Sequence, residues 1–96
     1  MKKIIDKIRN KKVKVGIIGL GYVGLEILLS INEKKFTTFG FDKDKFKIEK
    51  LKKNLPTIST ITKQRLSKTK KKFFYDLKYI SKINLCEVII ICVPTP

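Results

Sequence analysis

At 96 residues the chain has room for one small domain, and a domain of that size buries roughly 60–65% of the surface its unfolded form exposes. Its formal charge of +15 is carried almost wholly by lysine, with arginine only at Arg9 and Arg65, which argues against a reader of base edges, a task that leans on arginine. There is no histidine, which removes the commonest general base and metal ligand, and no apolar run approaches the ~18 residues of a membrane span.

Residues 1–12, MKKIIDKIRNKK, place Ile4, Ile5 and Ile8 at helical spacing among lysines. This predicts a short basic amphipathic lead-in helix lying on the domain. A membrane-surface helix has the same pattern, but three isoleucines offer little apolar area. The segment also lacks the apolar middle of a signal peptide. Val13 to Ile18, VKVGII, is β-branched and short, and Gly19 stops it: a strand. A helix opens near Tyr22, with Val23, Ile27 and Ile31 recurring every fourth residue and Leu28 beside them, and fades at Asn32 to Lys35. FTTFGF (Phe36–Phe41) is a second strand ending at Asp42. The next helix, Asp42–Asn54, carries Ile48, Leu51 and Leu55 on one face and is capped by Asp42 or Asp44.

Residues 55–71 have the weakest pattern: Pro56 breaks any helix, and TKQRLSKTKKK reads as a short exposed helix or a mobile loop. KFFYD (Lys72–Asp76) is a third strand. LKYISKI (Leu77–Ile83) suggests one or two helical turns. EVIIICV (Glu87–Val93) is a fourth strand, stopped by Pro94 and Pro96. Its apolar run is continuous rather than alternating, so it asks for cover on both faces, as central parallel strands do.

Strands alternating with helices predict an α/β fold with a parallel sheet, right-handed crossovers and helices on both faces. The expected strand order is 3-2-1-4, the first half of a Rossmann-type dinucleotide-binding fold. In this frame the stretch VGIIGLGYVG gains a role. Gly19, Gly21 and Gly24 follow a strand and open a helix, the setting that lifts GxGxxG above chance. Gly19 is expected to make the tight turn, Gly21 to let a pyrophosphate approach the backbone, and Gly24 to let the helix pack closely. Asp42 lies 23 residues after Gly19, at the end of the second strand. There a carboxylate accepts hydrogen bonds from ribose hydroxyls and repels a 2′-phosphate, favouring NAD over NADP. Lys43 beside it blurs that preference. CVPTP emerges at the same edge of the sheet, so Thr95 is placed to reach the cofactor. Cys86 and Cys92 have neither metal nor redox spacing and read as buried free thiols. That fits a reducing, cytoplasmic setting. The lysines run through the whole chain and gather on no one element, which reads as a solvated surface.

With these elements placed, the chain resembles the N-terminal portion of the UDP-glucose/GDP-mannose dehydrogenase family. The resemblance rests on KVGIIGLGYVGLEILL (Lys14–Leu29), FGFDKDKFKIEKLKKN (Phe39–Asn54), FFYDLKYI (Phe73–Ile80) and VIIICVPTP (Val88–Pro96). The leader IIDKIRNKK is similar to that of the UDP-N-acetylhexosamine branch. The resemblance implies a partial NAD-binding domain over residues 13–96, with Gly19, Gly21, Tyr22, Val23 and Gly24 on the phosphates. It further implies Asp42 on the ribose, Lys43 near the adenosine, and Val93, Pro94 and Thr95 at the cofactor edge. The family oxidises the 6-hydroxyl of a nucleotide sugar to a carboxylate with two NAD and a catalytic cysteine. The resemblance therefore implies NAD as cofactor, a UDP-sugar as substrate of the full-length enzyme, a homo-oligomer at full length, and neither nucleic acid nor membrane as partner. It assigns no catalytic and no metal-binding residue to this chain. The catalytic cysteine lies downstream in the family, and neither Cys86 nor Cys92 matches it.

Three positions depart from the family. Glu26 stands where proline is usual, Tyr75–Asp76 replaces the usual Thr-Asp, and residues 55–71 lack the glycine-bearing start. The expectation is a fragment, inactive by itself and truncated before the second half of the sheet and the substrate domain. An apolar strand such as Val88–Val93 left as a sheet edge is an aggregation hazard, which points the same way. A stand-alone NAD-sensing module uses the same loop and the same Asp42 and is the alternative.

Overall fold

Four short runs of β-branched or aromatic residues form one parallel sheet in the order β3-β2-β1-β4, as the alternation predicts. The computed structural model describes residues 2–92. The elements are α1 (Lys2–Arg9), β1 (Lys14–Ile18), α2 (Tyr22–Glu33), β2 (Thr37–Asp42), α3 (Lys45–Lys52), α4 (Lys63–Lys68), β3 (Lys72–Asp76), a 3₁₀ helix (Leu77–Leu85) and β4 (Val88–Ile91). In register, Gly16 of β1 lies opposite Phe39 of β2 and Ile89 of β4, and Phe39 lies opposite Phe73 of β3.

The two faces of the sheet differ. One holds the main core, in which Val15, Ile17 and Phe74 of the strands meet Leu25, Leu28 and Leu29 of α2, Ile48 and Leu51 of α3, and Leu66 of α4. Each fully buried leucine or isoleucine here is worth roughly 1.5–3 kcal/mol. The other face stacks Phe39 on Phe73 and Phe41 on Tyr75, with ring centroids 5.3 and 5.6 Å apart. Tyr79 and Ile83 of the 3₁₀ helix lie over this face, Ile83 beside Gly16. The helical turns expected over Leu77–Ile83 are thus a 3₁₀ helix, and it covers the second face.

The side of α2 that meets the sheet is not the one the four-residue recurrence selects. Gly24, Leu25, Leu28, Leu29 and Asn32 are buried, whereas Val23 is 65% exposed and Ile27 and Ile31 pack only at the border of the core. The helix has apolar residues on more than one side, and the fit of Gly24 against the preceding loop sets its rotation. Asn32 then joins the end of α2 to the turn before β3, its amide donating to the carbonyls of Phe36 (3.1 Å) and Lys70 (2.6 Å).

Of the two readings of residues 55–71 the short helix is the one that forms, as α4, exposed at Lys63, Gln64, Ser67 and Lys68 but docked on its inner side. Leu66 is fully buried, and Ile61 and Thr69 are buried with it. Arg65 explains the docking. Its guanidinium makes a two-pronged contact with Glu33 (2.9 and 2.9 Å) and reaches Glu26 at 2.7 Å, both on α2. Glu26, the residue that departs from the family's proline, is thus one half of this clasp. Hydrogen bonds from Arg65, the largest influence, hold the Glu26 and Glu33 carboxyls below the usual carboxylate range. Arg65→Ala is expected to cost about 1 kcal/mol, the upper range for a surface pair, and so to lower the melting temperature by roughly 4–8 °C in a domain of this size. Thermal unfolding followed by circular dichroism measures it; an unchanged midpoint would mean that Leu66 alone holds the segment.

The amphipathic lead-in helix forms as α1: Ile4, Ile5 and Ile8 are 38%, 42% and 45% exposed, and a Lys7–Glu87 ion pair of 3.1 Å ties the helix to the start of β4. β4 lacks the cover on both faces that its apolar run asks for, as expected of a fragment. It stands at the sheet edge, where Ile90 packs on the core and Ile89 and Ile91 are exposed.

Candidate functional site: a crevice at the glycine loop

All four strands of a parallel sheet end on one edge, and in open α/β sheets ligands bind in the crevice beyond it, beside the loop that leaves β1. A cavity of about 820 Å³ occupies it. Gly19, Gly21, Tyr22, Val23, Gly24, Asp42 and Lys43 all line this cavity. Val93, Pro94 and Thr95 lie outside the described residues. A smaller cleft of about 210 Å³, between α3 and β3, touches none of these positions.

Each glycine of the loop is there for a different reason. Gly19 has φ 95°, a left-handed conformation that disfavours any Cβ, and its N–H donates to the carbonyl of Phe41 (2.8 Å). This is the tight turn. Gly24 faces Gly19, and a Cβ on it would fall onto the Gly19 carbonyl. That contact lets α2 begin directly against the loop. Gly21 is different. Its φ of −79° suits any residue, and a Cβ there would meet no atom of the described residues within 4 Å. Neither backbone nor packing asks for glycine at 21; only the space in the crevice does.

α2 starts at Tyr22 with no side chain capping its N-terminus. The N–H groups of its first turn, and the positive end of its dipole, thus face the crevice without a side-chain acceptor among the described residues. By contrast, α3 is capped by Asp44, which accepts from the N–H groups of Phe46 and Lys47 (3.0 and 3.2 Å), and the 3₁₀ helix by Asp76. The aspartate after Tyr75 therefore ends its strand by starting the next turn.

Asp42 is not the cap of α3. One carboxylate oxygen accepts the N–H of Leu20 in the glycine loop (2.8 Å) and the other the N–H of Asp44 (2.9 Å). Lys47 completes the set with an ion pair at 3.2 Å. Burial pushes this carboxyl up, but the backbone donors Asp44 and Leu20 and the Lys47 ammonium outweigh it and leave it below the ordinary aspartate value. The group is thus a carboxylate at neutral pH. It accepts three hydrogen bonds where two oxygens offer about four sites, so it retains capacity for a ribose hydroxyl.

Lys47 is the site residue that sequence reasoning missed. A cation in the first turn of a helix opposes the dipole, and that misfit was the available signal of a specific partner. Ile18, Phe41, Leu77, Ile91 and Cys92 also line the cavity. Both cysteines are free and only partly buried, and desolvation raises the Cys86 thiol above its usual value, the opposite of nucleophile activation. Among the described residues no cluster of three or more His, Cys, Asp or Glu gathers to hold a metal ion.

The model of the UDP-glucose/GDP-mannose dehydrogenase family, NAD-binding domain, matches residues 13–96. The chain belongs to this family. Its sequence is 32% identical over 87 residues to the UDP-N-acetyl-D-glucosamine 6-dehydrogenase of Pseudomonas aeruginosa, covering 90% of this chain and 20% of that one. It is 36% identical over 85 residues to the Salmonella typhi enzyme of the same name, covering 88% and 19%. Among solved structures, the UDP-D-ManNAc dehydrogenase of Pyrococcus horikoshii superposes with a TM-score of 0.78 at 26% identity, over 88% of this chain and 21% of that one. The Pseudomonas aeruginosa GDP-mannose dehydrogenase, at 22% identity and a TM-score of 0.75, shows the shared fold. The chain therefore spans about a fifth of the length of the relatives it matches, and the part it spans is the beginning of the Rossmann-type half. No helix among the described residues is long and apolar enough to cross a membrane.

Proposed function

We propose that this chain binds NAD in the crevice at the glycine loop, as the cofactor-holding part of a nucleotide-sugar dehydrogenase. The observation that carries the reading is Gly21, a glycine that neither the backbone nor any atom of the described residues demands, beside a helix N-terminus that no described side chain caps. The pyrophosphate would lie over Gly21 against the first-turn N–H groups of α2. Asp42 would accept from the adenosine ribose and disfavour a 2′-phosphate, with Lys47 and Lys43 beside it. Val93, Pro94 and Thr95 would complete the edge. When bound, NAD supplies the hydride acceptor. This chain's residues hold and orient it, while oxidation of the 6-hydroxyl of a UDP-sugar to a carboxylate belongs to the whole enzyme. The UDP-N-acetyl-D-glucosamine 6-dehydrogenases that it resembles point to a UDP-N-acetylhexosamine as that sugar nucleotide.

Titrating the folded chain with NADH and NADPH, read by nicotinamide fluorescence, tests this. The expectation is binding with NADH preferred. Asp42→Ala should weaken NADH by about tenfold, one charge-assisted hydrogen bond's worth, and should narrow the gap to NADPH. The ratio of the two affinities reports on the ribose even if the loss of the Leu20 and Asp44 contacts also lowers stability. A ratio unchanged by the substitution would leave Asp42 as a brace for the loop alone, and a folded chain blind to millimolar NADH would overturn the reading.

A further inference from the structure

The lysines that are spread through the sequence are gathered by the fold. In a parallel sheet every strand begins on the same edge, here the edge opposite the glycine loop. The turns leading into β1, β2 and β3 carry Lys11 and Lys12, Lys34 and Lys35, and Lys70 and Lys71, all exposed. Lys11, Lys35 and Lys71 even adopt a left-handed backbone, with φ of 58°, 77° and 59°, where glycine or asparagine is less strained. α1 adds Lys3, Lys7 and Arg9. The acids on this edge, Glu33 and Glu87, are each held by a basic side chain, Arg65 and Lys7, and Asp6 is the one acid of α1.

Beside this charge stands an apolar stripe. Ile4, Ile5 and Ile8 fall within about a third of the helix circumference, all exposed, and α1 is tied to the body through Glu87 at the start of β4. The stripe spans little more than one turn. A groove that grips a helix reads anchors over two turns or more, so three isoleucines suit a protein groove poorly. Nucleic acid would use the lysines but not the isoleucines, and α1 offers no aromatic ring for a base to stack on. A second copy would bring another +15 against the same edge. A bilayer with anionic headgroups uses both features at once: the lysines of the edge meet the phosphates and supply most of the attraction that three isoleucines alone could not, while the isoleucines enter the acyl boundary.

We propose that α1 and the basic edge of the sheet form a docking face for an anionic lipid surface, with the helix lying in the plane of the interface. β1 separates this face from the crevice, so a docked molecule keeps its cofactor site turned toward water. The proposal is independent of what occupies the crevice.

Co-sedimentation of the 96-residue chain with phosphatidylcholine vesicles, with and without phosphatidylglycerol, is the test. Binding should require phosphatidylglycerol and fall with salt. The triple change Ile4→Ser, Ile5→Ser, Ile8→Ser removes only exposed side chains and should weaken binding by about tenfold or more. Lys34→Glu with Lys70→Glu, which spares α1 altogether, should do the same. Lys45→Glu with Lys78→Glu makes an equal charge change at the crevice edge and should leave binding within about twofold of the unaltered chain. Equal losses from both lysine pairs would mean that net charge alone is felt, which overturns the proposal. So would undiminished binding by the isoleucine variant, or binding indifferent to phosphatidylglycerol. Tighter association with polyuridylate than with vesicles would assign the edge to nucleic acid instead. A dimer in sedimentation equilibrium that the isoleucine variant abolishes would assign the stripe to self-association.

Discussion

Gly21→Val should abolish NAD binding and leave the fold standing. The new side chain would project from the N-cap of α2 into space where no atom of the described residues lies within 4 Å, so the core has nothing to repack. The same space is where the pyrophosphate must come closest to the backbone, and two methyl groups would hold it off the first-turn N–H groups. Losing that approach should cost at least about 2.7 kcal/mol, a hundredfold in affinity, with the melting temperature moved by no more than about 4 °C. NADH titration and thermal unfolding of the same sample separate the two effects. A variant that binds as before would show that the phosphates lie elsewhere. One that unfolds would show that Gly21 serves the protein and not a ligand.

Gly24→Ala should do the opposite, because Gly24 sits where α2 touches the loop. A single methyl group would land on the Gly19 carbonyl, which is backbone and cannot rotate away. α2 would have to lift, and Leu25, Leu28 and Leu29, fully buried against the sheet, would lift with it. Overpacking of this kind costs about 1–3 kcal/mol and occasionally more; with backbone as the obstacle we expect the upper end, a fall of roughly 12 °C or more in the melting midpoint. Urea unfolding measures it directly. A stable Gly24→Ala variant would mean that the helix start is more yielding than its contact with Gly19 implies.

The contrast between these glycines shows what a sequence reveals of this fold and what it hides. β-branched and aromatic runs stopped by Gly19, by Asp42 and by the turn chemistry around Asp76 made the order of elements readable, because each signal is local. The parallel order 3-2-1-4 followed from alternation and chain handedness. The rotation of α2 was not readable in that way. Its apolar residues permit more than one buried side, and the choice falls to a backbone contact between Gly24 and Gly19 that side-chain periodicity does not register. The docking of residues 55–71 depends on Arg65 meeting Glu26 and Glu33, 39 and 32 positions away, a pairing that is invisible along the chain. In the crevice, Asp42 was legible from its distance to the glycines, while Lys47 showed in the sequence only as a cation at odds with the first turn of α3, and its partner emerged once α3 turned it back onto that carboxylate. The edge lysines illustrate the same point: scattered in one dimension, they converge when strand starts align.

The place of β4 in the sheet bears on how the chain reaches this structure. β1 leaves the ribosome well before β4, whereas its partner on the other side, β2, follows it soon. The Lys14–Glu87 contact that opens the pairing with β4 joins residues 73 positions apart. Until all of that intervening chain has been made, one edge of the inner strand Lys14–Ile18 stays bare. Such long-range parallel pairings form slowly, and a bare apolar edge invites pairing with another chain in the meantime. A nascent chain in which lysine and arginine outnumber acids by 23 to 8 repels its neighbours throughout that wait. Positive charge thus protects the chain during assembly, at the stage when one side of its inner strand has nothing to pair with.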